Sequence, residues 1–298
     1  MNVNPNYIQQ LTAALSRTTG QQQALASQIS SGERLTGIGD DPVATAQNVQ
    51  LSAQIAADST FTQTASTTTA RMQVVDSTLG SVVDQINEAI SVATAGNNGT
   101  NNASDRSGVA AELSSIRDEI LGLANTSYSG TYLFSGSQNG SAPFVLDNTT
   151  SPASVTYSGD NLVNYVNTPG GQSIATNLPG NQVFSGAGGD LLGTLNALIK
   201  GFSTGDTVTT TALTSQLGTA LSQVSTQRAS LDGAMNRIQS ASSYASREQT
   251  QLVSNQTNLL QADLPTLATQ LSANTTQQSA LESVIVAIEH QGTLFDRM

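Results

Sequence analysis

Near the start of the chain, Ile8, Leu11, Leu15, Thr18, Gln22, Leu25 and Ile29 alternate at spacings of three and four. That spacing is a heptad seam, and it predicts a helix that buries one stripe against a partner helix. Near the other end Leu267, Leu271, Asn274, Gln278, Leu281, Ile285 and Ile288 repeat the alternation, again with two polar members in the middle. Laid antiparallel, the seams pair Ile8 with Ile288, Leu11 with Ile285, Leu15 with Leu281, Thr18 with Gln278, Gln22 with Asn274, Leu25 with Leu271 and Ile29 with Leu267. Every apolar position meets an apolar one, and the polar layers coincide. A slip of one heptad would set polar groups against leucines, so the polar layer is expected to fix the register. On this pairing, Gln278→Leu loosens it.

The same alignment sets Gly32 opposite Leu264 and its neighbour Pro265. Glycine past a helix end and proline near a helix start are terminal signals, so both helices are expected to break at one level. The stretch that follows, "GIGDDPVA", places Asp41 at an N-cap, Pro42 at the first helical position and Asp40 near the positive end of the helix dipole. Two adjacent carboxylates without a third ligand at loop spacing make a poor cation site, so the pair is read as a helix restart.

Further seams follow at Met72, Val75, Leu79, Val82, Ile86 and Ala89, at Val109, Leu113, Ile116, Ile120 and Leu123, and at Leu213, Leu217, Ala220, Val224, Gln227 and Leu231. They predict a bundle of long helices, with "AGNNGTNNASD" as a turn. The Thr-rich "STFTQTASTTTA" is poor helix material by intrinsic propensity. Between the helical parts, short strand-like runs alternate with Ser-Gly-Asp, Pro-Gly-Gly and Pro-Gly-Asn turns, which predicts a small antiparallel β domain. Eight of the twelve Tyr and Phe lie between Tyr128 and Phe202, so this middle segment is expected to hold its own aromatic core. The expected fold is mainly α with an inserted β domain. Its parts are a terminal helical rod domain (1–40 plus 262–298), a long-helix bundle (41–134 plus 203–261) and a β-rich outer domain (135–202).

Composition narrows function more than fold. Ten Lys and Arg against 21 Asp and Glu give a net charge of -11, which argues against nucleic acid or an anionic membrane as partner. There is no cysteine and one histidine, His290, so thiol chemistry is excluded and a His-based triad or multi-histidine metal site is not expected. No phosphate loop is formed, because neither "GIG" nor "GAGG" joins a strand to a helix with the required residues. No enzyme, cofactor or metal is expected. The first residues lack a basic and apolar leader, and no run is long enough for a membrane span, so export without a cleaved signal peptide is expected.

"QISSGERLTGIGDDPVATAQ" is similar to the segment of flagellin-like axial proteins where the terminal rod joins the next domain. "PVA" after the acidic pair, "LANTSYSGTYLFSGSQNGSAPF", "YSGD" followed by "LPGNQVF", and the final "TLFDRM" resemble the hook-filament junction branch more than the flagellins. The resemblance implies a structural protein of the bacterial flagellum, exported unfolded through the flagellar type III apparatus. It further implies a ring or layer of identical subunits between the hook side and the filament. The partners implied are flagellin, another hook-associated protein and an export chaperone. A short flagellin that forms the filament itself is the alternative. A secreted enzyme would need an acid and base pair that Asp147, Asp160 and Asp190 do not offer, and an adhesin would show as binding by the isolated β domain. One shared seam buries less apolar surface than ordering two helices costs, so the chain ends are expected to fold fully only on assembly.

Overall fold

The computed structural model describes residues 5–295 except 36, 38, 100, 139 and 187–188, with side chains from 7 to 288. It divides into two compact units, Met1–Ala57 with Arg247–Met298, and Asp58–Ser246. Helices account for most of it: α1 (Pro5–Ser31), α2 (Pro42–Gly96) and α3 (Ala103–Ala124) precede the strands. Eight short strands follow, β1 (Ser127–Tyr128), β2 (Thr131–Tyr132), β3 (Phe144–Asp147), β4 (Ser154–Tyr157), β5 (Tyr165–Asn167), β6 (Ser173–Ala175), β7 (Ser185–Gly186) and β8 (Gly189–Asp190), with the short α4 (Gly180–Phe184) before β7. The chain ends with α5 (Leu191–Thr204), α6 (Thr207–Leu260) and α7 (Leu264–Phe295).

In the second unit the heptad seams become the core. Met72, Leu79, Val82, Ile86 and Ala89 of α2 are fully buried, as are Leu113 and Ile120 of α3 and Leu217 and Val224 of α6. Each buried Leu, Ile, Val or Met among them contributes about 1.5–3 kcal/mol, so these seams hold the bundle. Asn102 opens α3 with a capping box: its side chain accepts from the Ser104 and Asp105 amides while Asp105 accepts from the Asn102 amide. The Thr-rich stretch is helical throughout. Thr62 and Thr64 there return their hydroxyls to the carbonyls of Asp58 and Thr60 at 2.8 and 2.9 Å, which satisfies them without leaving the helix.

The strands pair antiparallel in four separate two-stranded sheets, β1 with β2, β3 with β4, β5 with β6 and β7 with β8. Asn125, just past α3, fixes the exit to the strands: its amide donates to the Phe144 carbonyl and its oxygen accepts from the Phe144 N–H, both at 2.9 Å. Phe134, Phe144 and Phe184 pack edge to face with centroids 5.2 Å apart. The sequence suggested an aromatic core of its own for this segment. In the structure these rings join the same apolar cluster as Leu79, Leu113 and Leu217. The link is α5, a helix inside the interval expected to be β-rich. It buries Leu191, Leu192, Leu195, Leu198 and Phe202. Arg117 of α3, itself buried, donates to Asn196 of α5 at 3.1 Å.

Candidate assembly site

The first unit holds the candidate site, the helical pair α1 and α7. Asn274 of α7 donates to Gln21 of α1 at 3.3 Å, and past the helix ends Glu33 bridges Gln261 antiparallel. Both ties run in opposite chain directions, so α1 and α7 lie antiparallel. Along the seam Leu11, Leu15, Gln22, Leu25 and Ile29 are half-buried, as are Leu267, Leu271, Gln278, Leu281, Ile285 and Ile288. Ile8 is exposed. The buried members are polar: Thr18 at 3% exposure and Asn274 at 8%.

The polar layer is wired differently from the pairing read in the sequence. Asn274 bonds to Gln21, the neighbour of Gln22. Gln278 turns to Glu282 in its own helix at 3.1 Å, and the Thr18 hydroxyl returns to the Ala14 carbonyl at 2.9 Å. A threonine hydroxyl finds the preceding turn's carbonyl more easily than a group across the seam. Asn274 Oδ1 is buried without a partner among the described residues, a costly arrangement that a purely apolar seam would avoid. Asn274, rather than Gln278, is therefore the residue with a buried polar group across the seam.

At the break the backbone stitches the two ends together. Gly32 takes φ +71°, a left-handed turn that suits glycine, and its N–H closes α1 onto the Gln28 carbonyl at 2.9 Å. The Arg34 N–H then donates to the Leu260 carbonyl at 2.6 Å, and the Ala262 N–H to the Gly32 carbonyl at 3.0 Å. These bonds satisfy groups that helix ends leave open. Arg34 adds a side-chain clamp: Nε and Nη2 each lie 3.4 Å from the Leu259 carbonyl, while Nη1 meets Asp41 at 3.2 Å. One cation thus joins the end of α6 to the start of α2, favourable to the negative end of α6.

Asp41 accepts from the Ala44 N–H at 3.0 Å and stands before Pro42, the first residue of α2. That bond first, and Arg34 second, hold its carboxyl below the usual carboxylate range. Asp40 accepts from the Gly37 N–H at 2.8 Å. Both carboxylates of the pair are engaged in the turn and the restart. Asp263 serves α7 in the same way, accepting from the Thr266 N–H at 3.3 Å and hydroxyl at 2.7 Å. Pro265 therefore sits in the first turn of α7, where no intrahelical N–H bond is lost. Arg34, Glu33, Gln261 and Asp263 were not singled out in the sequence. The signal available for Arg34 was a lone cation in a glycine-rich break, and for Asp263 an Asp-x-Pro-Thr start. The Glu33 to Gln261 bridge has no local signal.

Among the described residues no group of three His, Cys, Asp or Glu could hold a metal ion, and no helix is long and apolar enough to cross a membrane. The His290 side chain lies outside the described ones. What this geometry offers is surface: a helical pair with apolar residues partly open, tied at its break by backbone hydrogen bonds and Arg34.

Residues 3–139 match the family model described as the bacterial flagellin N-terminal helical region. Flagellar hook-associated protein 3 of Salmonella typhimurium is 32% identical over 137 residues, which are 46% of this chain and 43% of the relative. The match thus spans under half the length of that relative. A solved structure of flagellar hook associated protein-3 from Legionella pneumophila superposes with a TM-score of 0.63 at 13% identity, covering 70% of this chain and 98% of that one. The flagellar junction protein FlgL from the same organism gives 0.59 at 14% identity, covering 72% and 99%. In sequence over nearly half of its length and in fold over most of it, the chain is similar to flagellar hook-associated protein 3, with a flagellin-like fold.

Proposed function

We propose that the chain is a structural component of the bacterial flagellum that joins the hook side to the flagellin filament as a junction layer. The observation that carries this reading is the likeness to hook-associated protein 3, in sequence and in fold, on a chain whose two ends pair as α1 and α7. In this reading the parts 1–40 plus 262–298 form the rod that packs inside the tube, 41–134 plus 203–261 the surrounding bundle, and 135–202 the outer display. The seam from Ile8 to Ile29 and from Leu267 to Ile288 is the assembly surface, with Gly32, Asp40, Asp41, Pro42 and Pro265 setting the break beside it. Identical subunits form the layer, with flagellin on one side and another hook-associated protein on the other. The chain travels unfolded through the type III apparatus with a chaperone and acts outside the cell, with no catalytic role.

The half-buried seam supports coupling of folding to assembly, since its apolar residues have surface left to cover. The match to the flagellin helical region also favours a second reading, a short flagellin. Deleting the gene and examining cells and medium by electron microscopy separates them. The junction reading expects intact hooks without filaments and flagellin released into the medium. Normal filaments would overturn it, and loss of the filament's own major protein would establish the flagellin reading.

A further inference from the structure

The unit 58–246 carries two oppositely charged flanks whose charges find no ion-pair partner among the described residues. On one flank are Arg71 of α2 and Arg237 of α6. Neither makes an ion pair among the described residues, whereas Arg117 pairs with Asp118 and Arg228 with Asp76. Helical periodicity places both on the side of the α2 and α6 pair opposite the hydroxyl-lined groove of Thr62, Ser66, Thr69, Gln73, Gln239 and Ser242. Tyr244, exposed at 56%, follows Arg237 two turns along the same face. An exposed aromatic on the same helix face as the unpaired Arg237 is the composition of a contact surface more than of a solvated face.

The second flank is the groove between α2 and α3, lined by Gln85, Glu88, Glu112, Ile116, Asp118 and Glu119, with Ser115 at its edge. Asp118 is taken by Arg117, and Glu88, Glu112 and Glu119 make no ion pair among the described residues. In a chain of net charge -11, most outside surfaces would repel this groove. The Arg71 and Arg237 flank is a complement of the right sign and of similar helical build.

We infer that these flanks meet between neighbouring copies: the Arg71, Arg237 and Tyr244 face of one subunit docks on the Glu88, Glu112 and Glu119 groove of the next. Because the two faces differ, the contact is head to tail, and its repetition generates a ring or helical layer in place of a closed two-fold dimer. The inference rests on the proposed layer of identical subunits and names the surfaces that join them. Exposed ion pairs add little affinity, so the role of the charges is to select which faces meet and to penalise wrong pairings.

The chain contains no cysteine, so introduced thiols report without background. Ser115 lines the acidic groove and Ser240 lies one turn from Arg237, both exposed. The full chain carrying Ser115→Cys and Ser240→Cys is produced in its deletion strain, flagella are isolated, and disulfides are formed by mild oxidation. A ladder of linked copies is expected. Adding Arg71→Glu with Arg237→Glu opposes like charges and is expected to reduce the ladder at least about tenfold. Further addition of Glu112→Arg with Glu119→Arg restores it, which a folding defect would not allow. If the chain is present in flagella but no ladder forms, or reversal leaves it unchanged, or the compensating pair fails to restore it, the inference is overturned while the junction reading stands. If the chain carrying only the two cysteines is absent from flagella that do assemble, the layer reading fails and this contact with it.

Discussion

The inner bundle and the terminal pair are built from the same heptad spacing and reach opposite outcomes. Along α2, Met72, Leu79, Val82 and Ile86 are entirely removed from solvent. Along α1, Leu11, Leu15, Leu25 and Ile29 are only half-buried, and the residue most hidden is Thr18. A seam read from sequence says which face is apolar. How much of that face is covered depends on how many elements pack on it. The inner seams share one apolar cluster with residues of several helices, whereas α1 and α7 are paired with each other. Hydrophobic stabilisation follows area removed from water, so the terminal pair retains a contribution that only an added surface can release.

Truncating matched leucines separates the two seams most directly. Leu79→Ala empties a fully buried position and is expected to cost about 2–5 kcal/mol in denaturant unfolding. Leu15→Ala, at a half-buried position, is expected to cost about 1 kcal/mol or less in the same monomer. Equal losses would contradict the contrast. Next in size is Gly32→Ala, which forces a side chain into the left-handed region and is expected to cost about 1–2 kcal/mol, read as loss of amide protection in α1 and α7 with 72–89 unchanged.

Asn274→Leu sharpens the contrast from another side. It removes the buried amide whose Oδ1 has no partner, so stability is expected to hold or rise while register specificity falls. Cysteines at 15 and 281 would then give slipped products that the parent does not. A single product in both would show that Asn274 does not set the register. The smallest effect is a pH dependence at the break. The Asp41 carboxyl is depressed in the folded state, so its contribution is fully present above the ordinary carboxylate value of about 4 and is lost as pH falls below it. Thermal melts from pH 6 downward are expected to show a small loss confined to the acid side of that value, reduced in Asp41→Asn.

Much of this was legible because heptads are local. The seams at Met72 to Ala89 and Leu113 to Ile120 are the buried ones, and Asp41 with Pro42 opens α2 as the capping signal implies. What escaped was non-local or masked by composition. The leucines of α5 follow the Gly-rich sequence "GAGGD" in an interval dominated by strand and turn residues. The threonines of α2 weigh against a helix until their back-bonds to the preceding turn are counted. The bridge of Glu33 to Gln261 and the reach of Arg34 to Leu259 join residues far apart in sequence. Which side chain answers Asn274 across the seam depends on rotamers that a register alone does not determine.

The measurement that tests the account most directly is amide hydrogen exchange on the dilute, unassembled chain. Residues 8–29 and 267–288 are expected to exchange orders of magnitude faster than 72–89 and 113–120, and to gain protection once the chain is assembled. Protection of the terminal pair equal to that of the inner bundle in the monomer would contradict the claim that its folding is completed by its neighbours.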